Sequence, residues 1–145
     1  MHNIKLKKFY FINKLNSKNL NKLNKNVSVI YRRYTGNIDE REIIYIKQIC
    51  RKHKREFFIS NNIKLALKLS LDGVYLPSFN KSLKHRVYSI KKKFQIIGSA
   101  HNIKEIKEKE MQGANIIFLA SLFKKKNRYS ELVNSIYYQK KQAKR

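Results

Sequence analysis

The sequence predicts a parallel α/β fold, with strands and helices alternating in a barrel-like repeat. Two stretches carry this reading. In residues 57–77, FFISNNIKLALKLSLDGVYLP, a short apolar run ends in a polar Ser-Asn-Asn corner. A Leu/Ala/Lys segment follows, and Asp72-Gly73 then precedes a second apolar run closed by Pro77. The same order returns over 95–120, where IIGSAH leads into a capped helix and GANIIFLASLF follows it. Spacing is the third observation, since strand starts recur at roughly 20–30 residues, about one βα unit. Both polar corners fall at carboxyl ends of strands, where folds of this kind keep their sites.

Taken in order, residues 9–12 are short and aromatic and read as a buried strand. Residues 13–26 form a weak helix carried by Leu15, Leu20 and Leu23, and β-branched 27–31 is the second strand. The loop 32–37 contains Gly36. Residues 38–53 hold the best-written helix: Asp39 is its N-cap, Glu42 completes a capping box, and Ile38 and Ile43 form a hydrophobic staple. Ile43, Ile46 and Cys50 make its inner face, and 57–59 is the third strand.

Residues 63–71 are ambiguous. Ile63, Leu65, Leu67, Leu69 and Leu71 alternate with the strand period, and Asp72-Gly73 would turn them into a hairpin. Leu, Ala and Lys favour a helix, with Asn61 or Asn62 as its cap, and helix is the preferred reading. Gly73 is expected to supply a positive φ at this turn. Residues 82–92 read as a basic helix with Leu83, Val87 and Ile90 inward. Residues 95–98 form the fifth strand. Asn102 with Glu105 makes a second capping box, Gly113 closes that helix, and 116–119 is the sixth strand. No seventh or eighth strand is legible after Phe123, and 129–145 reads as a polar C-terminal helix or tail.

At 145 residues the chain reads as a single domain over 1–145, large enough to bury a core. The basic-then-apolar start, MHNIKLKKFYFI, falls short of the roughly 7–15 apolar residues of a signal peptide. No run reaches the roughly 18 apolar residues of a membrane span. The lone Cys50 excludes an internal disulfide and suggests a cytoplasmic protein with a buried, inert thiol. The net charge of +25 would ordinarily point to nucleic acid. However, Lys, Asn and Ile number 26, 15 and 18, and all three have A/T-rich codons. Genomic bias therefore explains the charge more simply, although nonspecific polyanion binding at low salt follows either way.

In these residues the chain resembles the thiamine-phosphate synthase/TenI family. The resemblance runs from Phe9 to about Arg128. It rests on the order of FFISNNIKLALKLSLDGVYLP, IIGSAHNIKEIKEKEMQGANIIF and, more weakly, VIYRRY. It implies a (β/α) TIM-type barrel, here a partial one of about six parallel strands, since a full barrel takes about 200 residues or more. A partial barrel would leave edge strands to be covered by the terminal segment or by a second copy in a homo-oligomer, and a truncated reading frame would also produce one.

The implied ancestral reaction joins hydroxymethylpyrimidine diphosphate to thiazole phosphate and releases pyrophosphate. The family's two metal-binding aspartates correspond to Asn61 and Asn80, so a Mg²⁺ site there would lack its carboxylates. The family's substrate-binding Gln and Lys correspond to Ile30 and Tyr34. Arg32, Ser99 and His101 occupy phosphate- or substrate-binding places, and Lys125, Asn127 and Arg128 occupy the phosphate segment after the sixth strand. A repurposed member binding a phosphorylated small molecule is the expectation.

Plainer readings stand beside these. His101 precedes the Asn102 cap and would serve equally to orient that turn. Asp72 reads as a turn residue and Tyr75 as packing. The lysine runs 91–93 and 124–126 read as solvated faces, and His2, His53 and His85 have no metal spacing. The alternative function is a small basic nucleic-acid-binding protein, with Arg32, Arg33, Lys124, Lys125 and Lys126 beside Tyr31, Tyr34 and Phe79 on one surface. A non-functional barrel fragment is a third.

Overall fold

The computed structural model describes residues 7–119 and 137–139. Six parallel strands run in sequence order: β1 (Lys8–Ile12), β2 (Val27–Tyr31), β3 (Phe57–Ser60), β4 (Gly73–Leu76), β5 (Gln95–Ala100) and β6 (Ile116–Leu119). Each pairs with the next, and the sheet curls into a half-barrel. The helices α1 (Ser17–Lys22), α2 (Glu40–Lys52), α3 (Ile63–Lys68) and α4 (Ile103–Met111) connect them. This is the predicted partial barrel. Strands β2, β3 and β4 are buried along their whole length, as parallel strands covered on both faces must be.

The ambiguous segment is a helix. Asn62 caps it by accepting the Leu65 amide at 3.0 Å, and Leu65 and Ala66 are its buried residues. The strand-like alternation lost because β4 pairs with β3 in parallel, so the segment between them must cross over the sheet and cannot fold back on β4 as a hairpin arm.

Several expectations need correction. A basic helix over 82–92 does not form; a single 3₁₀ turn, Lys84–Val87, stands in its place. Val87 and Leu83 are exposed, and the buried residue is His85. The segment has no acidic side chain to pair with its cations. Its Ser82 amide is taken by Asn80 Oδ1 at 2.9 Å, which diverts the backbone from helical bonding. Gly73 is not at positive φ; Ser70, at φ 52, takes that role in the corner. Gly73 is required by space, because a Cβ there would run into the Gln95 carbonyl oxygen. Glu42 does not close a capping box. Asp39 caps Arg41, and Glu42 instead accepts the Leu15 amide at 2.7 Å and the Tyr31 hydroxyl at 3.0 Å. A seventh strand does exist: β7 (Tyr137–Gln139) pairs antiparallel with β6. It lies where a polar helix or tail was expected, and the rest of 129–145 is outside the described residues.

Two cores lie on opposite faces of the sheet. The outer one packs helices on strands through Val29, Tyr31, Ile43, Ile46, Ile59 and Leu76. Cys50 belongs to it, and burial pushes its thiol up to about 12, so it stays protonated and unreactive. The inner core fills the concave face with Phe9, Ile30, Phe58, Tyr75, Ile97, Ile116 and Phe118. Phe118 is its hub, with ring centroids 5.1 Å from Phe9, 6.2 Å from Phe11 and 6.0 Å from Tyr75. Below it, at the amino ends of the strands, Lys7, Glu56 and Gln95 form a polar plug, with Lys7 Nζ 3.3 Å from Glu56 Oε1. At the carboxyl ends of the strands the concave face opens into a cavity. None of the helices among the described residues is long and apolar enough to cross a membrane.

Candidate functional site

The open end is a cavity of about 280 Å³ lined by residues within β1, β4, β5 and β6 and by the residues that follow β2, β4 and β5. Phe11, Tyr75 and Phe118 form its floor. Arg32, directly after β2, carries the cavity's cation; its guanidinium lies 4.6 Å above the Phe11 ring, and its amide donates to Ile12 O at 2.7 Å. That cation–π contact orients the group without consuming its donors. Tyr34 and Phe79 meet edge to face at 5.4 Å, a rim joining the loops after β2 and β4.

Ser99 sits on the inward face of β5 beside the Tyr75 hydroxyl, and His101 stands at the rim. Burial pushes the Tyr75 and Tyr34 hydroxyls above the usual tyrosine range, so both are neutral hydrogen-bond donors near neutral pH. Ser60 Oγ, also inward-facing, is buried without a hydrogen-bond partner; the Tyr34 hydroxyl faces it without reaching bonding geometry.

His101 has a partner of its own. Glu105 Oε2 accepts its amide at 2.6 Å and lies 3.0 Å from its Nδ1. The bond from the His101 amide holds the Glu105 carboxyl below the usual glutamate range. The second capping box is therefore displaced by one residue, because Glu105 reaches His101 and not the Asn102 amide.

The predicted substrate-binding residues divide as follows. Arg32, Ser99 and His101 line the one cavity. Lys125, Asn127 and Arg128 lie outside the described residues. Asn61, at φ 59, and Asn80 are at the same end, bonded to each other, with Asn80 Nδ2 donating to Asn61 Oδ1 at 2.6 Å. They do not fit a magnesium ion. Neither is charged, both Oδ1 atoms already accept N–H groups, and the Lys109 ammonium lies 2.6 Å from Asn80 O. Among the described residues there is no group of three or more His, Cys, Asp or Glu placed to hold a metal, whereas Mg²⁺ relies on carboxylates.

Of the residues grouped for a nucleic-acid surface, Tyr31 is fully buried and bonded to Glu42. Arg33 turns back, its Nε donating to Thr35 O and its Nη1 4.0 Å from Glu42. Tyr34 and Phe79 face the cavity. Among the described residues these side chains do not share one surface, and Lys124, Lys125 and Lys126 lie outside the described residues.

Sequence reasoning missed Lys109. It is fully buried, its chain packs over Gly98, and its ammonium donates to Asn80 O at 2.6 Å and Gln112 Oε1 at 2.8 Å. Its i+3 spacing from Ile106 and to Gln112 was the available signal. Burial pulls its pKa from 10.5 to about 8. A lowered amine binds fewer protons folded than unfolded, so stability should rise as pH passes from about 8 toward 10.5, by at most about 1.4 kcal/mol per pH unit. Cys50 opposes this above 9.0, where the unfolded thiol ionises and the buried one does not. Urea unfolding between pH 8 and 9 should therefore show a rise in the wild type that is absent in Lys109→Met. Equal slopes in the two would contradict the assignment.

A half-barrel of parallel strands with polar side chains gathered at the carboxyl ends is the ground plan of a TIM-type barrel, whose sites lie at that end. The family model for thiamine monophosphate synthase (TMP-TENI) matches residues 20–140, and the chain belongs to that family. It is 29% identical over 68 residues to the thiamine-phosphate synthase of Listeria monocytogenes, a match covering 47% of this chain and 32% of that one. It is also 29% identical over 79 residues to the thiamine-phosphate synthase of Bacillus velezensis, covering 54% and 34%. The chain thus spans about a third of the length of these relatives. The solved thiamine phosphate pyrophosphorylase from Pyrococcus furiosus superposes with a TM-score of 0.57 at 21% identity, over 80% of this chain and 61% of that one, a likeness of fold.

Proposed function

We propose that this is a cytoplasmic protein of thiamine-phosphate metabolism whose half-barrel mouth binds a phosphorylated small molecule, and in which the family's condensation of pyrimidine diphosphate with thiazole phosphate has degenerated. The observation that carries this is the convergence of Arg32, Ser99 and His101 on one cavity with an aromatic floor, in a member of this family. In this reading Arg32 pairs with the phosphate, Ser99 and the neutral Tyr34 and Tyr75 hydroxyls donate hydrogen bonds, and the Phe11 and Phe118 rings receive the heterocycle. Degeneracy follows from the replaced carboxylates. Pyrophosphate departure needs its developing charge stabilised, and Asn61 and Asn80 contribute none.

Thiazole phosphate is the natural probe. At physiological salt it should raise the melting temperature, as any ligand of the folded state does. Arg32→Ala should then weaken binding roughly ten- to hundredfold, since hydrogen bonds to a charged group contribute about 1.5–3 kcal/mol. Unchanged affinity in that variant would remove Arg32 from the site.

A further inference from the structure

We infer that Asn61, Asn80, Lys109 and Gln112 form a metal-free latch, a positioning device that ties the loops after β3 and β4 together where a divalent cation would otherwise be needed. The chain of contacts runs from the mouth to the outer face of the barrel. At the mouth, Asn80 Nδ2 donates to Asn61 Oδ1 at 2.6 Å, joining the two loops. Asn80 Oδ1 turns away and accepts the Ser82 amide at 2.9 Å, so this side chain cannot offer its oxygen to a cation without breaking its own loop.

From behind, α4 and its C-cap residue Gln112 secure the same loop. Lys109 Nζ donates to Asn80 O at 2.6 Å, and Gln112 Nε2 donates to Asn80 O at 2.9 Å and Ser82 O at 3.0 Å. Gln112 is itself fixed, its Oε1 accepting from Lys109 at 2.8 Å and its carbonyl lying 2.7 Å from His85 Nε2. Lys109 and Gln112 are both buried. The ammonium reaches Asn80 because β5 has a glycine where its chain crosses: a Cβ on Gly98 would stand 2.6 Å from Lys109 Cδ.

The latch is electrostatically opposed to a metal. The Lys109 ammonium sits within hydrogen-bond distance of the backbone carbonyl of one candidate ligand, and with no carboxylate there to offset it a second cation beside it would be repelled. Phe79, adjacent to Asn80, is thereby held as a fixed wall against Tyr34, so the mouth is shaped before any ligand arrives. This rests on the mouth being a binding site only for its consequence, that ligand binding needs no divalent cation. The latch itself is tested on ligand-free protein.

The experiment is thermal unfolding of the ligand-free wild type against Mg²⁺ up to millimolar excess, beside EDTA, at physiological ionic strength. The wild type should show no saturable change. The double variant Asn61→Asp/Asn80→Asp places two carboxylates side by side and should gain a saturable Mg²⁺-dependent rise in melting temperature. Lys109→Met, with Asn61 and Asn80 intact, should melt lower than the wild type and exchange the Ser82 amide hydrogen faster, while still ignoring Mg²⁺. A saturable Mg²⁺ response in the wild type would overturn the inference. So would a double variant as indifferent to Mg²⁺ as the wild type, or protection at Ser82 unchanged in Lys109→Met. None of these outcomes depends on thiazole phosphate, so failure of the proposed function is read separately.

Discussion

Gly73→Ala is expected to destabilise the protein by about 3 kcal/mol or more, enough to leave a large fraction unfolded at moderate temperature. The added methyl would overlap the Gln95 carbonyl oxygen, with Gln95 C at 2.8 Å and Phe58 Cδ1 at 2.9 Å. Two of these three are backbone atoms of the neighbouring strand, where Gly73 pairs with Gln95 in register. They cannot rotate away, so relief requires β4 and β5 to separate at their amino ends. Gly113→Ala supplies the contrast. Its methyl would meet nothing closer than 3.7 Å, and the cost is that of a positive φ alone, about 1 kcal/mol. Urea unfolding of both variants checks the pair, and equal losses would show that the β4–β5 contact is looser than described.

Phe118→Ala is expected to cost about 3–5 kcal/mol, in the upper range for core truncations. Phe118 is 4% exposed and packs against three other rings, edge to face with Phe9 and Phe11 and tilted on Tyr75, so its removal opens a void that those rings cannot close without leaving this geometry. Because Phe118 also floors the mouth, the void would merge with the cavity above it. Phe118→Leu keeps most of the volume and should lose less than half as much. Guanidinium unfolding of the two variants decides this, and an alanine variant as stable as the leucine one would mean that the aromatic cluster is not the keystone of the concave face.

Much of this architecture was legible because each parallel βα unit writes its own boundaries. Asn62, Asn102 and Gly113 mark helix ends by side-chain capping and a positive φ, all local signals. The parallel pairing of β3 and β4 could not be read locally, since the alternating leucines of α3 satisfy either period. What tipped the reading of the segment to helix was Leu, Ala and Lys propensity and an Asn cap, which the structure places at Asn62.

The segment over 82–92 misled for the opposite reason. Its apolar spacing is helical, but its conformation is set from outside by Gln112 and Asn80, which hold His85 and Ser82. β7 was illegible because a three-residue strand carries too little pattern, and its partner supplies the order.

At the mouth, Arg32, Ser99 and His101 were singled out by the family resemblance, and they line one cavity because strand ends converge in a barrel. Lys109 was missed because a lysine within KEIKEKE is ordinarily solvated, and only the glycine at position 98 on the facing strand makes room for it. Glu42 and Glu105 were assigned to helix caps on spacing, yet each carboxylate found a partner beyond its own N-cap.

The most direct test of a common ligand site at the barrel mouth is an amide chemical-shift titration with thiazole phosphate, in EDTA and at physiological salt. The account predicts shifts clustered at residues 32–34, 78–80 and 99–101, saturating together with one affinity. Shifts scattered over the lysine-rich surface at 91–93 and 104–107 and abolished by added salt would contradict it, and would leave the chain a barrel fold with no ligand site at its mouth.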